Sequence, residues 1–375
     1  MVSNQSAADN DENGPARSSV VSVVNADQQA PETGQPMRTP GQKEAAGSGT
    51  SSRRAKGVAK QFLRGYLVVL LVPALFIAFT VGAPGHFLAA ANLRSMLTTN
   101  SPLLILAVGM TVVLACGEFD LSFYGVIGMS AGIVAGVPQL SLWGALAVSL
   151  GAAVLAGLVN SFFVVVLNVS AFIATLGMGV LTLGIALGVT HSETLPNPFG
   201  GITSVFAGTF LGISYSFYIA LAAVALLWGF LEHTVAGRNL YFTGANRKAA
   251  AYAGVNVNKV RVGALVVSAI TGWIAGLFIL AESGAVVAGY GSGYLLTDFA
   301  AVFLGYAAIR PGKYNALGTL VGVAVLAVGT TGLEVMAAPL WITDVFTGAI
   351  LFVGVAAANI LGRAGSFREL RSAVR

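Results

Sequence analysis

The chain has 375 residues, of which 56% are hydrophobic and only 9% charged, with a mean hydropathy of +0.80 and a formal net charge of +5. Soluble domains carry about 25% charged residues, so a soluble globule of this length is excluded and an integral membrane protein is expected. One cysteine, Cys116, excludes an intramolecular disulfide framework. The three scattered histidines His86, His191 and His233 form no metal-ligand cluster with it, so neither metal nor other cofactor is expected.

Residues 1–60 are rich in Ser, Gly, Gln, Asn, Ala and Pro without apolar periodicity, which predicts a disordered cytoplasmic tail. The tail is too long and polar for the n-region of a cleaved signal peptide, so the first apolar run is expected to stay as an anchor. A basic cluster (Arg53, Arg54, Lys56, Lys60, Arg64) flanks that run. Ten candidate spans follow, at roughly 65–83, 98–116, 121–137, 142–166, 170–190, 214–231, 263–281, 296–309, 316–334 and 341–361, each tested against about 20 apolar residues per crossing. The third and eighth are short, and 116–121 could break a longer element. The expected fold is an all-α polytopic membrane protein with about ten transmembrane helices. Its transmembrane domain covers 61–365, and a basic cytoplasmic tail covers 366–375.

Lysine and arginine orient the bundle. With the N-terminus cytoplasmic, the inner loops hold the N-terminal cluster, Arg238, Arg247, Lys248, Lys259, Arg261, Arg310, Lys313 and the C-terminal arginines, whereas the outer loops hold only Arg94. The bias is the positive-inside pattern, with both termini cytoplasmic. The same placement beside apolar spans argues for bilayer contact and against nucleic acid.

Glycines at Gly128, Gly132 and Gly136, at Gly272 and Gly276, and at Gly318 and Gly322 recur every four residues on one helical face. In lipid such stripes let backbones approach, which predicts tight helix packing. Two stretches mimic other machinery. "GYAAIRPGKY" (305–314) has six residues between its glycines where a nucleotide-binding loop needs four, and Tyr314 stands in place of Ser or Thr. "AGYGSG" (288–293) lacks the Thr-Val that precedes the glycines of a potassium filter and is expected to be a flexible external turn. The chain is therefore not expected to be an enzyme or a channel.

The most polar part of the apolar region is "GANRKAAAYAGVNVNKVRV" (244–262). Asn246 suits the N-cap of a short helix over 247–253, and Gly254 suits the left-handed position that ends it. Two turns alone are marginal in water, so a partner surface is expected, with Arg247 and Lys248 facing acidic groups. A positive-inside loop with an incidental helical turn stays open on physical grounds.

This stretch, with its lead-in "GRNLYFT", resembles the cytoplasmic coupling loop of monosaccharide-type ABC importer permeases, the ribose, xylose and arabinose group. "AVGMTVVLACGEFDLSFYG" (107–125) and "VNSFFVVVLNVSAFIATLGMGVLTLG" (159–184) agree, and 291–333 agrees in layout. The resemblance covers roughly residues 65–360. It implies a bacterial inner-membrane protein, a cytoplasmic ABC ATPase docked on the short helix, an external solute-binding protein, and a second permease copy, identical or sibling. Gly244, Asn246, Ala249, Ala250, Gly254 and Val255 match the coupling motif, and Arg247 and Lys248 lie in the same ATPase-coupling helix. Two departures bear on the cargo. The family's Gly-x-Asp-Leu-Ser appears as Gly117-Glu118-Phe119-Asp120-Leu121-Ser122, and Leu295 stands where many relatives are acidic.

Glu118 and Asp120, the acidic pair near a span boundary on the expected inner side, have two readings: caps of the third span's N-terminus, where the helix dipole favours anions, or a gate or loop latch near the ATPase that the resemblance implies. Glu282, Asp298, Glu334 and Asp344 are expected near outer helix ends, within reach of water or a docked binding protein. Candidate pathway groups are Asn100, Ser101, Thr111, Asn160, Ser161, Phe172 and Thr175. Their amides and hydroxyls suit a small neutral sugar or polyol, although each could instead bond between helices. The alternative function, an ion-coupled secondary transporter, calls for buried acidic residues and broken helices at the midplane, and neither is evident in the sequence.

Overall fold

The computed structural model describes residues 67–373; the tail 1–60 and the basic cluster from Arg53 to Arg64 lie outside the described residues. The chain runs through α1 (Leu67–Gly82), then α2 (Ala90–Thr99) and α3 (Ser101–Ala115), which together make one 26-residue span through Asn100. After a break at 116–122 come α4 (Phe123–Gly136) and α5 (Leu142–Ser161), which continues as a π-helical turn over Phe162–Val166. Next are α6 (Ala171–Thr190), a single turn α7 (Gly200–Ile202), α8 (Tyr215–His233), α9 (Val235–Ala245) and α10 (Arg247–Tyr252). The last four helices are α11 (Val257–Ser283), α12 (Tyr294–Ala307), α13 (Ala316–Val335) and α14 (Leu340–Ala373).

Among the described residues seven helical segments are long and apolar enough to cross a membrane: α2–α3, α5, α6, α8, α11, α13 and α14. The shorter apolar helices α1 and α4, with the 14-residue α12, fill the remaining expected positions. Starts are set locally. Ser141 accepts from Gly144 N before α5, and Asn315 accepts from Gly318 N before α13, each satisfying a donor that the first helical turn leaves free.

Every residue of α3, and of α4 all but Gly136, is buried. The glycine stripes explain how α4 fits against its neighbours and α13 against α12. A Cβ on Gly128 would meet the Ala288 carbonyl oxygen at 2.1 Å, one on Gly276 would meet that of Ile127 at 2.6 Å, and one on Gly322 would meet that of Ala301 at 1.9 Å. These are backbone-to-helix contacts that any side chain would prevent.

Two expectations are corrected here. The "AGYGSG" stretch is not a loose external turn. It forms a 3-10 helix over Ala288–Gly293 with Ala288 and Gly291 buried, and Gly291 lies so near α4 that a Cβ would sit 2.0 Å from the Tyr124 carbonyl oxygen. A two-residue antiparallel pairing of Leu195–Pro196 with Ala285–Val286 directs the segment inward. Because the segment descends into the bundle, α12 starts deep, and Asp298 in its second turn is 0% exposed instead of facing water. Glu334 and Asp344 are exposed as expected, and Glu282 is half-buried, with one oxygen 3.3 Å from the Ser214 hydroxyl.

Candidate functional site

The short helix α10 forms where the sequence places it, and both ends are closed by local chemistry. The Asn246 side chain accepts from Ala249 N at 3.0 Å. At the other end Gly254 adopts φ +82°, while Val255 N donates to Ala250 O and Gly254 N to Ala251 O, each at 3.0 Å. This paired closure needs a residue that tolerates the left-handed region, which is the reason for glycine there.

One side of α10 faces the protein itself. Ala250 is 0% exposed, and Arg247 donates to Gly117 O at 2.9 Å and to Glu118 Oε1 at 2.7 Å. Gly244 lies against the same break, since a Cβ there would be 2.2 Å from the Ala115 carbonyl oxygen. Gly117, at φ +76°, faces Gly244 across it. The other side is open: Lys248 and Ala251 are exposed, and Tyr252 is 91% exposed. Ala249 and Val255 sit between the two faces.

Glu118 holds two arginines. Besides Arg247, its Oε1 accepts from Arg261 Nε in α11, and Arg261 Nη2 donates to Val164 O in the π-helical turn after α5. The Glu118 side chain is 4% exposed and that of Arg261 9%, against 45% for Arg247. Glu118 therefore does not cap α4; it ties α10, α11 and the break together. Asp120 lies nearer the cap, accepting from Ser122 N at 2.7 Å and Ser122 Oγ at 2.6 Å, and the Ser268 hydroxyl of α11 also faces it.

The break is anchored on three further helices. Leu121 N donates to Thr175 Oγ1 of α6 at 3.0 Å, Asn160 Nδ2 of α5 donates to Ser122 Oγ at 2.8 Å, and the Phe119 ring stacks on Phe299 of α12 with centroids 6.2 Å apart. Of the other pathway candidates, Thr111 Oγ1 bonds Thr319 Oγ1 across α3 and α13 at 2.6 Å. Asn100, Ser101 and Ser161 bond the carbonyls of Met96, Leu97 and Gly157. Within this chain Ser101, Thr111, Asn160, Ser161 and Thr175 are buried, whereas Phe172 is 53% exposed beside Glu118, Phe119 and Arg247 in a cleft of ≈ 320 Å³.

Sequence reasoning missed three participants. Arg261 was read only as a positive-inside charge, and its partner is 143 residues away. Tyr252 is placed by the sequence only within the short helix 247–253, and nothing local shows that its ring stands bare on the open side. The third is Asp298, expected near an outer helix end; like the latch candidate Asp120, it is 0% exposed. Asp120 Oδ2, both Asp298 carboxylate oxygens and Asn160 Oδ1 have no hydrogen-bond partner among the described residues. Buried carboxylates beside a broken helix meet the criterion set for an ion-coupled transporter, so that criterion alone does not separate the two functions.

Comparison with known proteins separates them. The family described as "Branched-chain amino acid transport system / permease component" matches residues 92–355. The ribose import permease protein RbsC of Escherichia coli K12 is 29% identical over 301 residues, 78% of this chain and 92% of that protein. The probable ABC transporter permease protein YphD of the same strain is 30% identical over 299 residues, 79% of this chain and 89% of the relative. The autoinducer 2 import system permease protein LsrC of Salmonella paratyphi B is 29% identical over 285 residues, 76% of this chain and 82% of the relative.

Proposed function

The chain belongs to the family of permease components that these comparisons define, the membrane subunits of ABC importers, and from that premise we propose that it carries a monosaccharide or similar small polyol inward across a bacterial plasma membrane. Hydrolysis of ATP belongs to a separate ATPase subunit, and a solute-binding protein supplies cargo from outside. The proposed pathway lies between this chain and a second permease, identical or sibling. Relatives named for ribose and autoinducer 2 import support a small polar cargo, as do the neutral amides and hydroxyls of Asn100, Ser101, Thr111, Asn160, Ser161 and Thr175, with Phe172 at the exposed rim.

The observation that carries the mechanism is the Arg247–Glu118–Arg261 cluster. The ATPase takes hold of the bare face of α10, chiefly Lys248 and Tyr252. Gly244, Arg247 and Ala250 face inward and pass its movement to the break at 116–122, with Asn246, Ala249, Gly254 and Val255 shaping the lever. Glu118 acts as the latch. Asp120, Leu121 and Ser122 extend the linkage to α5 and α6 through Asn160 and Thr175, so a push at the cytoplasmic face shifts the helices that gate the pathway. The ATP cycle biases a two-state element and makes no covalent bond in this chain.

The test is ATP-dependent uptake of radiolabelled monosaccharides by vesicles holding this chain, its ATPase and its binding protein. Tyr252→Ala and Lys248→Glu, which alter only exposed positions, are expected to abolish uptake and ATPase binding while insertion is unchanged. Uptake that persists without the ATPase would sink this reading in favour of ion-coupled transport.

A further inference from the structure

A groove of ≈ 590 Å³ opens between α3, α8, α9 and α11. Its walls include Val112, Leu226, Phe230, Leu240 and Val267, and among its lining residues only Asn239 and Lys259 are polar. All four helices contribute their cytoplasmic halves: α3 ends at the break, α8 ends at His233, and α11 begins at Val257. Trp228, edge-on to His233 with centroids 4.9 Å apart, marks the level where aromatic rings sit at a membrane–water interface. The groove thus lies at the depth of the inner leaflet.

Charge at its mouth narrows the occupant. On this face Glu118 holds Arg247 and Arg261, and Glu232 holds Arg310 and Lys313. Lys259, exposed in the first turn of α11 and itself part of the lining, has no acidic partner among the described residues. An apolar cleft at acyl-chain depth, with the unpaired Lys259 in its lining at headgroup depth, matches an anionic lipid: methylene carbon below, phosphate above. A zwitterionic lipid would fill the cleft equally well but gain less from the cation.

We propose that this groove is a binding site for one anionic phospholipid of the inner leaflet, an acyl chain lying along Val112, Phe230 and Val267 and its phosphate held by Lys259. The site sits on α9 and α11, which flank α10, but its occupancy can be read without any transport assay.

The experiment titrates phosphatidylglycerol or phosphatidylcholine with identical acyl chains onto the purified full-length permease in detergent, with bound lipid counted by native mass spectrometry. One phosphatidylglycerol is expected to bind saturably and more tightly than phosphatidylcholine. Lys259→Gln is expected to weaken phosphatidylglycerol roughly fivefold, to the level of phosphatidylcholine, since a juxtaposed cation contributes about that factor. Gly263→Leu fills the groove where an added Cβ meets nothing within 4 Å, so an unchanged melting midpoint with loss of both lipids is expected. Equal binding of the two lipids by the native chain overturns the proposal, as does phosphatidylglycerol binding that survives both substitutions. Dimerisation lost with Gly263→Leu also overturns it, because the groove would then belong to a second copy.

Discussion

At Glu118 two arginines converge on one carboxylate oxygen, yet they are not equivalent in solvent. Removing the carboxylate leaves Arg261 buried without a counter-charge, and breaking a buried pair in this way costs about 3–5 kcal/mol. Arg247 keeps 45% of its side chain exposed, so Arg247→Ala is expected to cost about 1 kcal/mol or less. Unfolding midpoints of the purified variants check this, with Glu118→Ala melting well below Arg247→Ala; equal losses would mean that the cluster is solvated. Asp298 predicts the opposite sign. Neither carboxylate oxygen has a hydrogen-bond partner among the described residues, and a group so placed opposes folding. Asp298→Asn is therefore expected to raise the midpoint, and a fall would show that the carboxylate is held by something in the folded bundle. The sequence concealed the burial of Asp298 and the ion pair of Arg261 for one reason: both are long-range facts, and nothing near either residue along the chain encodes them.

Elements were legible in proportion to how local their signals are. The ends of α10 could be read from Asn246 and Gly254 because a cap is chemistry over three or four residues. The break at 116–122 was legible as an interruption of apolar sequence, but its attachment to α5, α6, α10 and α12 was not. The inward course of 288–293 could not be read at all, since it depends on glycines of another helix giving way at Gly128. Close backbone contact also yields a test of the lever. A side chain at Gly244 would drive its Cβ to 2.2 Å from the Ala115 carbonyl oxygen, and the rigid backbone there cannot yield cheaply. Gly244→Val is expected to push α10 off the break, so that the assembled transporter hydrolyses ATP without moving cargo. Uptake and hydrolysis that stay coupled in this variant would mean that the thrust travels by another route.

For the whole molecule, the span count and the orientation rest on different physics, and they agree. Hydropathy finds the helices, whereas lysine and arginine placement decides which way they run. The burial of those helices divides the bundle. α5, α6 and α8 are each 28% buried along their most apolar window, and α14 is 11% buried, against 72% for α11. The outer ring therefore offers its faces to lipid or to a second permease, while α3, α4 and α11 form the interior. The orientation can be tested on a clean background, because the chain's single cysteine, Cys116, is buried. Tyr252→Cys, on the bare face of α10, is expected to react with a membrane-impermeant maleimide only in inside-out vesicles. Leu340→Cys lies at the opposite end of the bundle, where α14 begins, and its parent side chain is 83% exposed; it is expected to react only in right-side-out preparations. If both positions label from one side, the number of spans between them is even instead of the expected three, α11, α12 and α13. The inner-face positions of α10, the Glu118 latch and the Lys259 groove would then all have to be reassigned together, since each depends on 234–262 being cytoplasmic.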